Sequence, residues 1–381
     1  MTRALFLSLL LLPTLAAGPA PTHPADFASF RDGGGLTGAA GPLPAPPLKL
    51  RWTYQTGGSG TEPTSVESAA TVHGDTVYVA DDRGTLHAID LVTGKNKWKY
   101  VSEGGFSVTP LVMDGRVYLG DLAGLFHCVS AQDGKKIWTF DSENGIHSSA
   151  NAVFTPDGPR LLFGNDGGEI LCLNTDGKKV WAAQAGDRVN SAPSIATIKG
   201  EPAALFSGCD AHLRAIGVKD GKEVFDTDLG ALSGGSPAVA GDRIYVGTDG
   251  GHVLCFGADG KQLWDFDQVG DHAMVYASPA VADGVVVAGA RDRKVYGLDA
   301  NTGKPLWSFP TRGEVDSSAL ITGGRAYVAS KDKKLYALDL KTGKSQWEFP
   351  ASRGITASPC IGQNVLVIGD TRGAVYCLEG K

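Results

Sequence analysis

Residues Ser318 to Phe349 read SALITGGRAYVASKDKKLYALDLKTGKSQWEF. Val328 and the group Leu335, Tyr336 and Leu338 sit in short β-type runs, and Gly323-Gly324, Lys331–Lys333 and Thr342-Gly343-Lys344 interrupt them. The order predicts four strands, A to D: A and B joined by a tight glycine turn, B and C by a polar loop, and C and D by a Thr-Gly-Lys turn. A unit this small cannot bury its own apolar faces, so it has to stack on copies of itself.

The copies run through the chain from Ser68. The first closes at Trp98 and the next at Trp138, Trp181, Phe225, Trp264, Trp307 and Trp347, with spacings between 39 residues (Phe225 to Trp264) and 44 (Trp181 to Phe225). Four short strands per 40-odd residues is the pattern of a propeller blade. The last copy, Ser358 to Leu378, has strands A, B and C only, while the isolated run Lys49 to Gln55 near the other end carries Trp52. The expected fold is therefore all-β: an eight-bladed propeller of four-stranded antiparallel blades over residues 49–381, closed by strand 49–55 completing the last blade. Closure removes the unpaired edge of an open array, and the ring is expected to be a monomer.

The 52 glycines, with only 20% charged residues, suit short strands and tight turns. A formal charge of −6 gives no electrostatic basis for nucleic-acid binding. Residues 1–17 read as a signal peptide: Arg3, an apolar core from Leu5 to Leu12, and small residues at Ala16, Ala17 and Ala20. The core is too short to span a bilayer, and no other stretch is a transmembrane candidate. Export to the periplasm or outside the cell is the expectation. Residues 18–48 form a Pro- and Gly-rich leader, expected to be extended, with Phe27, Phe30 and Arg31 as the residues that could pin it to the body.

The run Ala337 to Trp347, ALDLKTGKSQW, recurs in close form at Ala88–Trp98 and Gly297–Trp307. It resembles the tryptophan-docking repeat of the PQQ-type, quinoprotein-like propellers. WD-type propellers fit less well, since Trp is followed by Asp only at Trp264. The resemblance implies that the aromatics Trp52, Trp98, Trp138, Trp181, Phe225, Trp264, Trp307 and Trp347 clamp neighbouring blades, each packing on a glycine turn. It also implies two possible functions. One branch of the family is non-enzymatic and includes the propeller lipoprotein of the outer-membrane barrel-assembly machinery. The other comprises PQQ-dependent dehydrogenases, which oxidise alcohols or sugars with the quinone held between a tryptophan and a disulfide of adjacent cysteines, beside a metal ion. Here no two cysteines are adjacent, and every tryptophan is already assigned to a blade. The first cysteine is Cys128, so a lipid anchor at the end of a signal peptide is not expected. Cys128, Cys172, Cys255 and Cys377 share a strand C column with Ala88, Ala215, Gly297 and Ala337, and read as small buried residues without disulfides. No H-E-x-x-H, G-x-S-x-G or P-loop is present, and no catalytic or metal-ligating residues are assigned. His73, His87, His127 and His252 read as structural.

One column of the repeat does not keep its residue type. Just before strand A stand Glu67, Ser107, His147, Asn190, Gly234, Tyr276, Asp316 and Thr356. With strand A innermost, this column should ring one mouth of the central channel, beside the strand B–C loops Asp81–Arg83, Arg291–Lys294 and Lys331–Lys334. Glu67, His147, Asn190, Tyr276 and Asp316 are the candidate ligand-binding residues. The expected function is an exported, cofactor-free scaffold binding a protein, peptide or small polar ligand, with PQQ-dependent dehydrogenase as the alternative.

Overall fold

The computed structural model describes residues 27–57 and 64–381; the stretch assigned to the signal peptide lies outside the described residues. Eight antiparallel sheets follow one another around a ring. In blade one, strands A to D are Thr71–His73, Thr76–Ala80, Thr85–Asp90 and Asn96–Val101. The last blade takes Cys360–Gly362, Val365–Gly369 and Ala374–Gly380 from the end of the chain and Leu48–Gln55 as its strand D. Trp52 pairs there with Cys377, so the two ends of the propeller hydrogen-bond directly and close the ring.

Register explains the strand C column. Every D-strand aromatic lies opposite its small residue, as in Trp98 with Ala88, Trp138 with Cys128, Phe225 with Ala215 and Trp307 with Gly297. A Cβ on Gly297 would stand 2.1 Å from Trp307 Cε2, so a larger side chain would displace the ring. The cysteines fill this place as apolar groups. Burial pushes the Cys172 and Cys377 thiols up to about 12, and no disulfide forms among the described residues.

The core lies between blades. One cluster joins Trp264 and Phe266 of blade five to Val281, Val286 and Tyr296 of blade six. Trp52, Trp98, Trp138, Trp181, Trp264 and Trp307 each donate an indole N–H to a carbonyl of the next blade, at 2.8–3.1 Å. Their rings lie on the glycine of the next C–D turn, for example Trp307 on Gly343, which needs its φ of +68° to make the turn. Phe225 packs on Gly260 in the same way, without an indole N–H to donate. Trp347 departs from the expectation. The blade after it receives its strand D from the other end of the chain, so no C–D turn exists there, and Trp347 stacks instead beside Phe349 on the core cluster that the leader residue Leu43 also packs against.

The leader is more than an extended approach to the ring. Phe27–Ala28 adds a fifth strand to blade two, pairing with Met113 and Val112. From there the chain follows the inner wall. Backbone carbonyls of Gly34, Gly35, Thr37 and Gly38 accept from the amides of Ile195, Val239, Val281 and Ile321, one in each of blades four to seven. Glycine is needed for so close an approach, since a Cβ on Gly35 would meet Val239 O at 2.4 Å.

Candidate functional site at the channel mouth

Strand A is innermost, and the linkers that lead into it interleave with the B–C loops: Asp82 N donates to Ser65 O, Arg291 N to Met274 O and Lys331 N to Glu314 O. Together they surround a cavity of about 360 Å³ lined by residues of the variable column, with Phe30 of the leader also on its wall. Glu67, His147, Asn190, Tyr276 and Asp316, which come from five blades, all line it.

Their environments differ. Glu67 is exposed. His147 sits between Ser107 Oγ, 3.2 Å from Nδ1, and Asp166 Oδ2, 3.5 Å from Nε2. Asn190 Oδ1 is buried without a hydrogen-bond partner, as are Ser68 Oγ and Thr356 Oγ1 of the same cavity. The Tyr276 ring covers Gly234, where a Cβ would come within 2.5 Å of its Cε2, and Arg291 lies 5.0 Å from the ring centroid. The glycine in the variable column is thus the seat of the neighbouring tyrosine. Burial, with Asp316 nearby, raises the Tyr276 phenol above its ordinary range.

Asp316 is committed to ion pairs, at 2.8 Å from both Arg291 Nε and Lys331 Nζ. Burial pushes its carboxyl up, but hydrogen bonds from Arg291 and Lys331 outweigh this and hold it below the usual carboxylate range. Lys331 also meets Glu314 at 2.7 Å, and Lys334 meets Glu348 at 2.8 Å. The basic loops singled out in the sequence are therefore largely neutralised within the fold. Of the histidines, His87 and His127 are buried against Asp81 and Asp121, and His252 pairs with Asp265.

Sequence reasoning missed a belt of hydroxyls two positions past the variable column. Backbone amides of Thr109, Ala192, Ser236, Ser278 and Ser318 donate to the side-chain oxygens of Ser149, Ser236, Ser278, Ser318 and Ser358, each one blade further on, at 2.9–3.0 Å. A hydroxyl that accepts this bond keeps its own hydrogen to donate elsewhere. The recurring Ser-Pro at 236, 278 and 358 was the available signal. These serines line the cavity, so its wall is polar and tied together around the ring.

Fold and repeat together define a PQQ-type, quinoprotein-like eight-bladed propeller. The chain belongs to the family described as outer membrane protein assembly factor BamB, whose model matches residues 49–205 and 209–378. BamB of Burkholderia pseudomallei is 28% identical over 137 residues, a stretch covering 36% of this chain and 35% of that protein, so the chain matches about a third of that relative's length. The crystal structure of BamB from Moraxella catarrhalis superposes with a TM-score of 0.70 at 16% identity, over 88% of this chain and 98% of that one. Quinohemoprotein alcohol dehydrogenase from Comamonas testosteroni shares the fold with a TM-score of 0.77 at 14% identity, covering 92% of this chain and 80% of its own.

Proposed function

We propose that the protein is an exported, non-catalytic scaffold that works in outer-membrane protein assembly and engages a protein segment at the channel mouth. Membership of the BamB family supports the assembly role. The observation that carries the site is the cavity of about 360 Å³ with three buried polar atoms, Ser68 Oγ, Asn190 Oδ1 and Thr356 Oγ1, that lack partners in the fold. Buried polar groups are normally satisfied, and a bound peptide can supply both donors and acceptors. Among the described residues no helix is long and apolar enough to cross a membrane.

The cavity does not suit a quinone. Neither tryptophan nor cysteine lines it, and the tryptophans are held at the blade joints. The test compares the parent with Glu67→Ala/His147→Ala/Asn190→Ala as bait in envelope extract. Loss of outer-membrane assembly components from the captured set, with an unchanged melting curve, is the expected result. Undiminished capture would move the binding surface to the outer blade edges. Adding PQQ and calcium to the parent and finding a quinone spectrum with dye-linked alcohol oxidation would favour the dehydrogenase reading.

A further inference from the structure

The leader shows how the inner wall of the ring holds an extended chain. Its carbonyls at Gly34, Gly35, Thr37 and Gly38 each accept one backbone amide, from Ile195, Val239, Val281 and Ile321 of blades four to seven, at 2.7–2.8 Å. A wall that offers one donor per blade thus binds a chain through its main chain, which gives affinity without reading side chains.

A second tier of donors stands above the first. Ser236, Ser278 and Ser318 come three residues before Val239, Val281 and Ile321, and Ser358 takes the same place in blade eight. That sets the tier at most about 10 Å nearer the mouth. All four serines line the cavity and are only 4–9% exposed. Each hydroxyl oxygen accepts the amide of the preceding blade at 2.9–3.0 Å and donates to no group among the described residues. Four hydroxyl hydrogens on four consecutive blades are therefore left for whatever fills the cavity. The arc continues at Thr356 Oγ1 and Ser68 Oγ, buried on blades eight and one without partners. At its other end, on blade four, Asn190 Oδ1 is an acceptor without a donor. Neutral donors in a row with an acceptor at one end match a peptide main chain, whose carbonyls accept and whose N–H groups donate.

We propose that the serine tier binds a short extended segment of a partner protein, laid around the wall above the leader, with its carbonyl oxygens on the hydroxyls of Ser236, Ser278, Ser318 and Ser358 and a main-chain N–H on Asn190 Oδ1. This rests on the reading of the mouth as a peptide site and adds the mode of recognition. The segment is made of small residues such as glycine, alanine and serine. The cavity of about 360 Å³ is near the lower end of the range for ligand pockets. The leader obeys the same limit, since a Cβ on Gly35 would stand 2.4 Å from Val239 O and one on Gly38 2.8 Å from Ala319 O.

The probe is the acetylated, amidated peptide GGGLTG, a copy of residues 33–38, titrated into the full chain by calorimetry. The parent is expected to bind it, and to bind VVVLTV more weakly. Ser278→Ala/Ser318→Ala, which removes two of the donors, is expected to weaken GGGLTG roughly tenfold or more. No binding by the parent, or equal affinity in parent and double variant, overturns the proposal; a peptide that merely displaces the leader gives the second result. If the double variant fails to fold, crystals of the parent grown with GGGLTG decide. Peptide carbonyls within hydrogen-bonding distance of Ser278 and Ser318 Oγ support the tier, and water alone there overturns it. Capture of envelope components that is lost in Glu67→Ala/His147→Ala/Asn190→Ala but kept in Ser278→Ala/Ser318→Ala rejects main-chain recognition by the serines while leaving the mouth as the binding surface.

Discussion

At the joints between blades eight and one and between one and two, a histidine supports the buried aspartate of the B–C loop. At the joints entering blades six, seven and eight, a tyrosine supports the corresponding aspartate, which is fully buried only in blade eight. In the first kind, Tyr54 and Tyr100 on strand D meet His87 and His127 Nδ1 across the joint at 3.0 and 2.9 Å, and Nε2 meets Asp81 and Asp121 at 2.9 and 2.8 Å. In the second, Phe266, Phe309 and Phe349 pack on Tyr296, Tyr336 and Tyr376, whose hydroxyls donate to Asp292, Asp332 and Asp370. The phenol has changed sides. A histidine that donates through Nε2 leaves Nδ1 as an acceptor and needs a hydroxyl opposite. A tyrosine satisfies the aspartate alone and leaves its neighbour free to be apolar. Two residues on different blades therefore vary as a unit, because a buried half-satisfied pair is costly.

The largest expected effect removes what both kinds share. Asp121 accepts from His127, Ser102 and the amides of Ala123 and Leu125, and Asp370 accepts from Tyr376, Ser352 and the amides of Arg372 and Ala374. Asp121→Ala and Asp370→Ala should each cost roughly 3–5 kcal/mol in urea unfolding, since several buried donors are stranded together. A cost near zero for either would mean that its loop is not anchored by the carboxylate.

The joint between blades seven and eight differs in a second way, through Trp347. Trp307→Ala should cost about 3–5 kcal/mol as a buried aromatic truncation, and Trp347→Ala measurably less, because no glycine turn lies under that ring. Equal shifts in the denaturation midpoint would show that the glycine contact adds little.

Within the two kinds of joint, Tyr336→Phe removes a hydrogen bond to a carboxylate and should cost roughly 1.5–3 kcal/mol, whereas Tyr100→Phe removes a neutral bond and should cost about 1 kcal/mol. Thermal melts of the two variants check the order. The double change Tyr54→Phe/His87→Tyr should recover stability that His87→Tyr alone loses, and a cycle with no coupling would break the reading of the pair as a unit.

The smallest effect depends on pH. Burial, only partly offset by Asp81, lowers the His87 pKa below its ordinary value. The unfolded chain then binds the proton more readily, so this contribution is intact above about pH 6.5, the unfolded value, and declines as pH falls below it. The double variant should lose less stability between pH 7 and pH 5 than the parent. Parallel profiles would assign the acid sensitivity to other groups.

The ring was legible in the sequence because its causes are local and repeated. Each blade needs the same turns, the same small residue opposite the aromatic and the same strand order, so the copies display the rule, and Trp52 near one end supplies what the last copy lacks. The variable column at the mouth was legible for the same reason, since a position released from repeated packing stands out against those that are not. What the sequence could not determine depends on partners far away along the chain. The leader has no periodicity to read, yet its carbonyls bond to four blades, up to 283 residues away from Gly38 to Ile321. Asp316 looked like an available carboxylate until the fold set Arg291 and Lys331 against it. Tertiary structure decides these matters because charge pairing and backbone satisfaction are settled by distance in space, and ring closure brings together residues that the sequence keeps apart.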